Sequence, residues 1–458
     1  MKLYSKLLTL LLIMTLMTQM AKAFDFKEGG LCYNINDDGK SVTFTYEHLI
    51  MIALDAPMPS EKGYVGNIVI PEKVKHNGKT YKVTAIGEEA FMGNSDLERV
   101  AIPKTVTTIG NGAFAQCFSL KEVLLPPNLT EIGNYLFAES NLTEIRIPNK
   151  VKRIGASAFS NCPLKSVNIP NSVTVIENSA FSACRWMKSA TLGNSVKTIG
   201  EAAFSICPDL KTINLPASLQ EIGEKAFYEG GMESVIIPAA TTKIGDGAFR
   251  YCNNLTTLQV ENGNKVYDSR NNCNAVIETA TGTLIAGCNS TVIPEPVTKI
   301  GSEAFYGLKN IYSLNIPSSV TEIGNHAFFY CKNLREVNLP NSVTRIEERA
   351  FCGCDSLETV VIPNSVKYIG NSAFLHNKQL KTVTIGSGVT VIDEWAFKGL
   401  DAATSITSKI EDVSKVKLGK AVFDEIDKQA CTLYVPSGTA ASYKAAPQWK
   451  DFKNIVEK

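Results

Sequence analysis

The chain has 458 residues, of which 44% are apolar and 20% charged, and a net charge of +1. That composition can fill a sizeable core and excludes a chain disordered by composition. A charge so near zero gives no electrostatic case for nucleic acid or an anionic membrane as partner.

At the N-terminus, Lys2 and Lys6 flank the start of an apolar run, LLTLLLIMTLM at 7–17, and AKA stands after it at 21–23. This order predicts a secretory signal over 1–23, cut after Ala23. The apolar run has about 11 residues where a spanning helix needs ~20, so a membrane anchor is not expected. No cysteine stands at the cut, which argues against a lipid-anchored form. Loss of Lys2, Lys6 and Lys22 takes the net charge from +1 to −2. The mature chain is expected to be secreted or held at the cell surface, with no transmembrane segment.

Residues 24–85 are irregular. GLCYNINDDGKSVTFTYEH alternates around Asp38-Gly39, which predicts a hairpin. GNIVIPEKV at 66–74 reads as a first rung-like strand ended by proline. The segment is expected to cap the first hydrophobic edge of the chain beyond it.

From residue 86 the chain repeats itself. Phenylalanines fall at Phe91, Phe114, Phe137, Phe159, Phe181, Phe204, Phe227 and Phe249, then at Phe305, Phe328, Phe351, Phe374 and Phe397. Within each block the spacing is 22 or 23, and every Phe has Ile five positions before it. The preceding residue is Ala in twelve of thirteen cases, Leu136 being the exception. A fixed period of this length is the signature of a solenoid. A second half-motif, as in LKEVLLP at 120–126 and LKTINLP at 210–216, alternates apolar and polar residues and ends on proline. It predicts a short parallel strand in each rung, with IGxxAF on the return. One rung cannot bury Ile, Phe and the strand residues alone, whereas a stack can. The glycine after Ile is replaced by Glu177, Glu347 and Asp393, so it is favoured there and not required.

The fold class expected is an α/β-type repeat solenoid, strand-dominated, with a parallel concave sheet and about 13 rungs. The repeats divide into blocks at 86–260 and 297–400. Between them, 261–296 holds NCNAVIETATGTLIAGCN, two apolar strands about a turn at TATG. There Cys273 faces Cys288, a possible disulfide in an exported protein. Residues 401–458 are expected to form a C-terminal cap, with a strand at TLYVP, a helix around TAASYKAA and a last strand near NIVE.

Seven of the twelve cysteines share one column, three residues after Phe: Cys117, Cys162, Cys184, Cys207, Cys252, Cys331 and Cys354. Other rungs place Asn94, Ser140, Gly230 or Asn377 there. The column suits a small group bonding backbone and predicts buried free thiols. Zinc would need paired cysteines and converging ligands, which the spacing does not supply. Among the four histidines no metal or nucleophile motif is formed, and no HExxH, GxSxG or phosphate loop occurs. No catalytic residue, metal or cofactor is expected.

The outward strand positions are therefore the candidate surface. They are mostly small and polar, with a mildly basic rim. Its candidate ligand-facing residues are Lys165, Ser166, Asn168, Lys188, Thr191, Lys211, Thr212, Asn214, Thr257, Gln259, Asn315 and Asn338.

VTTIGNGAFAQCFSLKEVLLPPN at 106–128 resembles the leucine-rich repeat of the BspA-like and Treponema-type families of bacterial surface proteins. The resemblance spans about 86–400, and the flanks at 24–35 and 431–458 are similar to the ends such proteins carry. It implies a secreted or surface-exposed protein that binds a protein or glycan, usually in adhesion; a monomer is expected. Two other classes stand beside it: a carbohydrate-active or other hydrolytic enzyme, needing paired carboxylates in a pocket, and a structural component of the cell envelope without a soluble ligand.

Overall fold

A computed structural model describes residues 24–46 and 63–458. The signal expected at 1–23 lies outside them, as does part of the segment expected to cap the array. The chain divides into two compact units, one ending at Val173 and the other running from Thr174 to Lys458.

The first unit opens with an antiparallel sheet. Phe26–Glu28, Leu31–Ile35 and Ser41–Thr45 pair in sequence, and Lys73–His76 pairs with Lys79–Ile86. The turn at Asp38 is held by its carboxylate, which accepts from the Lys40 and Ser41 amides at 2.8 Å. Ser41–Thr45 then pairs in parallel with Lys79–Ile86, and that strand pairs with Thr108–Ile109. Here the antiparallel start converts into the parallel ladder of the repeats.

Most repeats contribute two strands, not one. Front strands carry the leucine-rich motif: Gly66–Val69, Leu97–Ala101 and Glu122–Leu124 run parallel in the first unit. The back strands have only two residues and end on the Ile column, as in Glu131–Ile132 with Arg153–Ile154. Residues 142–147 form no strand, although the Lys165 amide still donates to the Thr143 carbonyl at 3.0 Å. Between front and back the phenylalanine rings stack. Phe44, Phe91, Phe114, Phe137 and Phe159 succeed one another at 4.6, 4.9, 5.4 and 5.5 Å, within 20° of parallel.

In the second unit, back strands Val175–Ile176, Thr198–Ile199, Glu221–Ile222 and Lys243–Ile244 form one parallel run. Front strands Ser189–Thr191 and Thr212–Asn214 pair in parallel, as do Ser234–Ile237 and Thr257–Val260. Next comes a hairpin of Ala275–Glu278 and Thr283–Gly287. Its second strand pairs in parallel with Lys299–Ile300, so the hairpin starts a second back ladder that runs to Lys417–Leu418. The rings of Phe305, Phe328, Phe351, Phe374 and Phe397 stack at 5.0–5.4 Å, and Phe423 extends the column at 6.0 Å. Trp449 closes it, tilted against Phe423 at 4.6 Å. The front sheet ends in Thr432–Val435 and Asn454–Glu457, with the six-residue helix Ala440–Ala445 between them. That is the one α-helix among the described residues, so the fold is a strand-dominated leucine-rich-repeat solenoid.

Local chemistry accounts for the regularity. The repeat phenylalanines are 0–5% exposed, and the Ala column before them is buried with them, as is Leu136 where it replaces Ala. Two positions in each turn have positive φ: the second residue before Phe, as Glu89 at 54°, and the second after it, as Gln116 at 58°. Glycine takes these places in some rungs, Gly112 at 61° among them. The glycine after Ile serves close approach instead. A Cβ on Gly110 would stand 2.4 Å from the Glu88 amide nitrogen.

Candidate functional site

The front strands alternate in and out. In Ser166–Asn168 the centre, Val167, is buried while Ser166 and Asn168 are exposed. Thr191, Thr212, Asn214, Asn315 and Asn338 are exposed too, although Ile213 between Thr212 and Asn214 is only half-buried, whereas Thr257 and Gln259 are half-buried. The structure thus places every candidate on the outward side of a front strand, or, for the lysines, just before one.

Registry decides which of them are neighbours. Thr191 lies beside Asn214 and Asn315 beside Asn338. The Lys211 amide donates to the Lys188 carbonyl at 3.1 Å, so these lysines start adjacent strands. Both are exposed, and neither forms an ion pair among the described residues. Lys165, in the first unit, is likewise exposed and unpaired among them. Equivalent lysines elsewhere are neutralised: Lys121 pairs with Glu98 at 3.7 Å and Lys381 with Glu358 at 2.9 Å. The Lys381 ammonium holds the Glu358 carboxyl below its ordinary range. In the first unit, Arg99 also pairs with Glu122 across two strands.

Two candidates are partly spent on structure. The Asn214 amide accepts from the Leu192 N–H at 3.0 Å and donates to the Leu192 carbonyl at 3.3 Å. Asn338 donates to Glu336 at 3.3 Å.

Trp186 was not legible as a candidate from strand positions. It is 55% exposed and sits two residues before Lys188. Aligning the rungs shows why it stands out: Ser119, Asp209, Asn254 and Asn333 occupy that turn position in other coils. A tryptophan among small polar residues is the signal. Ile236, 52% exposed between Ser234 and Ile237, is a second apolar group on the outward face.

The cysteine column is buried and its thiols are satisfied. Sγ of Cys117 donates to Phe91 O at 3.0 Å, and the same bond runs from Cys162 to Phe137, Cys207 to Phe181, Cys252 to Phe227 and Cys354 to Phe328. Cys273 and Cys288 are buried thiols too, donating to Ala275 O at 3.8 Å and to Asn274 O at 3.3 Å. A serine staple that the repeat motif does not announce accompanies the cysteines. Ser319, Ser342 and Ser365 donate to Val297, Val320 and Val343 carbonyls one coil earlier, at 2.6–2.7 Å.

Among the described residues, no group of three or more His, Cys, Asp or Glu side chains could hold a metal ion, and no helix is long and apolar enough to cross a membrane.

Known structures carry the same architecture. A leucine-rich cell surface protein from Faecalibacterium prausnitzii is 29% identical, with a TM-score of 0.62 over 84% of this chain and 94% of that one. A leucine-rich repeat protein from Bacteroides ovatus is 25% identical, with a TM-score of 0.64 over 95% and 100%. The pneumococcal vaccine antigen PcpA shares the fold at 19% identity, with a TM-score of 0.57 over 94% and 98%. Comparison with curated proteins returns no match. The pattern described as BspA type leucine rich repeat region matches residues 79–188, 175–282 and 285–406. The chain therefore belongs to the BspA-type leucine-rich-repeat family.

Proposed function

We propose that the chain is exported, stays exposed at the cell surface and binds a protein or glycan through the outward side of its front strands, in an adhesive role. The observation that carries this reading is the pair of lysines Lys188 and Lys211, without an ion pair among the described residues, at the start of the adjacent strands that carry Thr191 and Thr212, with the exposed Trp186 two residues before Lys188. Exposed aromatic and cationic groups of this kind anchor macromolecular ligands and steer acidic partners. The likeness to a protein described as a cell surface protein supports the location.

The test is binding of the mature chain to a panel of matrix proteins and glycans. Reversing Lys165, Lys188 and Lys211 to Glu, with Asn168→Trp and Asn214→Trp, should weaken the bound ligand at least about tenfold and flatten its salt dependence. Unchanged affinity in that variant sinks the proposal. A chain that binds nothing in the panel points to the envelope-component reading.

A further inference from the structure

Between Phe249 and Phe305 one return turn is missing from the second unit, and a cavity of about 330 Å³ stands in its place. Its lining includes Asp246, Gly247, Phe249, Arg250, Ser302 and Glu303. The volume lies at the lower end of the roughly 300–1,000 Å³ of small-ligand sites.

The ladder shows what the missing turn leaves undone. In a regular coil, the residue two before Phe, Phe itself and the residue two after it donate to the next coil. Lys225 donates to Asp246 O at 3.1 Å, Phe227 to Ala248 O at 2.9 Å and Glu229 to Arg250 O at 2.9 Å. One coil later only the third bond is made, from Tyr251 to Tyr306 O at 3.1 Å. The Gly247 and Phe249 N–H groups meet no acceptor among the described residues. On the opposite wall Ala304 O accepts from Gly287 at 2.8 Å, while Ser302 O accepts from no described N–H. Unmade backbone hydrogen bonds are costly where water is restricted, and such groups in native proteins find partners.

The side chains set the charge. Arg250 pairs with Glu303 at 3.2 Å and lies 3.6 Å from the Tyr306 ring centre, while its buried Nε has no partner among the described residues. Lys299 pairs with Glu322 at 2.6 Å. The carboxylates of Asp246 and Glu278 have no cationic partner among the described residues, so the rim is acidic.

We propose that this gap binds a short peptide turn, neutral or carrying a Lys or Arg. The occupant presents two carbonyls two residues apart to Gly247 and Phe249, as Asp246 and Ala248 do for the coil before, and one N–H to Ser302 O. Main-chain pairing supplies the affinity, as in other modes that add a missing strand or turn. An anion would face Asp246 and Glu278. A sugar has the hydroxyls but not the carbonyl spacing.

The mature full chain is titrated with two blocked tetrapeptides, acetyl-Gly-Ser-Lys-Ala-amide and its glutamate counterpart, and with methyl glucoside. The lysine peptide should bind saturably, about fivefold or more tighter than the glutamate peptide, and slow hydrogen exchange at the Gly247 and Phe249 amides about tenfold or more. Ser302→Trp, at an exposed rim position, should abolish binding and leave the thermal midpoint unchanged. The front-strand lysine variants should bind the peptide as the unaltered chain does, which separates this site from the proposed adhesive face. Absence of saturable binding, preference for the glutamate peptide, equal binding of the glucoside, or binding that survives Ser302→Trp overturns the proposal. So does a dimer that Ser302→Trp dissociates, since a second copy would then fill the gap.

Discussion

Sγ of Cys331 donates to the carbonyl oxygen of Phe305, 3.1 Å away and 26 residues earlier in the chain. Two rungs on, Asn377 makes the same bond to Phe351 O at 3.0 Å with its side-chain amide. Thiol and carboxamide are interchangeable because each supplies one buried donor aimed at the previous coil. Cys331→Ala should lower unfolding free energy by about 1–2 kcal/mol, for the lost bond and the small void. Cys331→Asn should stay within about 1 kcal/mol of the parent. Urea unfolding of both variants decides the matter, and equal losses in the two would refute the donor role.

The thiols should be inert in the native chain. Burial pushes Cys117, Cys207, Cys252 and Cys331 up to about 12 and Cys162 up to about 11. A raised thiol value leaves very little thiolate at pH 9, where an exposed cysteine is largely ionised. Alkylation of native protein between pH 7 and 9 should therefore label none of these five, with labelling appearing only on unfolding. The same titration on unfolded, unreduced protein tests the Cys273–Cys288 bridge. Twelve thiols are expected, since each Sγ of that pair already has its own acceptor; ten would show the bridge.

The ring column should be unforgiving. Phe351 stacks on Phe328 at 5.0 Å and on Phe374 at 5.3 Å and is fully buried. Phe351→Ala should cost roughly 3–5 kcal/mol. Calorimetry on this variant, beside Tyr330→Ala at an exposed aromatic of the preceding coil, separates core from surface. Comparable losses in both would contradict the stacked core.

Left-handed turn positions predict a gain. Glu89 is exposed at a φ of 54°, where its equivalent one coil later is Gly112 at 61°. Glu89→Gly should raise stability by roughly 0.5–1 kcal/mol by relieving a conformation L residues avoid. The converse change, Gly112→Val, should lower it by more than about 1 kcal/mol. Thermal midpoints moving the other way would show that the turn is not under this strain.

The Ile and Phe columns were readable because large apolar residues at a fixed period mark little besides a stacked core. The same period did not announce the back ladder. Its strands are two residues long, and a pair such as Thr198–Ile199 has no alternation to detect. Phe44 and Phe423 escaped for another reason. Phe44 reaches the column from an antiparallel strand outside the period, and Phe423 comes after LGKAV, in which Leu418 and Val422 replace the usual Ile and Ala. The outward positions of the front strands were legible through their polarity. Trp186 was missed because it lies in the turn before a strand, and only rung-by-rung alignment makes it conspicuous. Charge pairing, which sets Lys188 and Lys211 apart from Lys381, depends on the neighbouring coil and has no trace in any single repeat.

Two-residue back strands tie each coil only to the ones beside it. Under tension the second unit should therefore shed coils singly, each giving up a similar small length of chain. The place where the ring column stops at Phe249 and resumes at Phe305 interrupts that sequence. It should act as a mechanical fuse, the point at which a stretched molecule pauses or parts before the rest of the stack gives way.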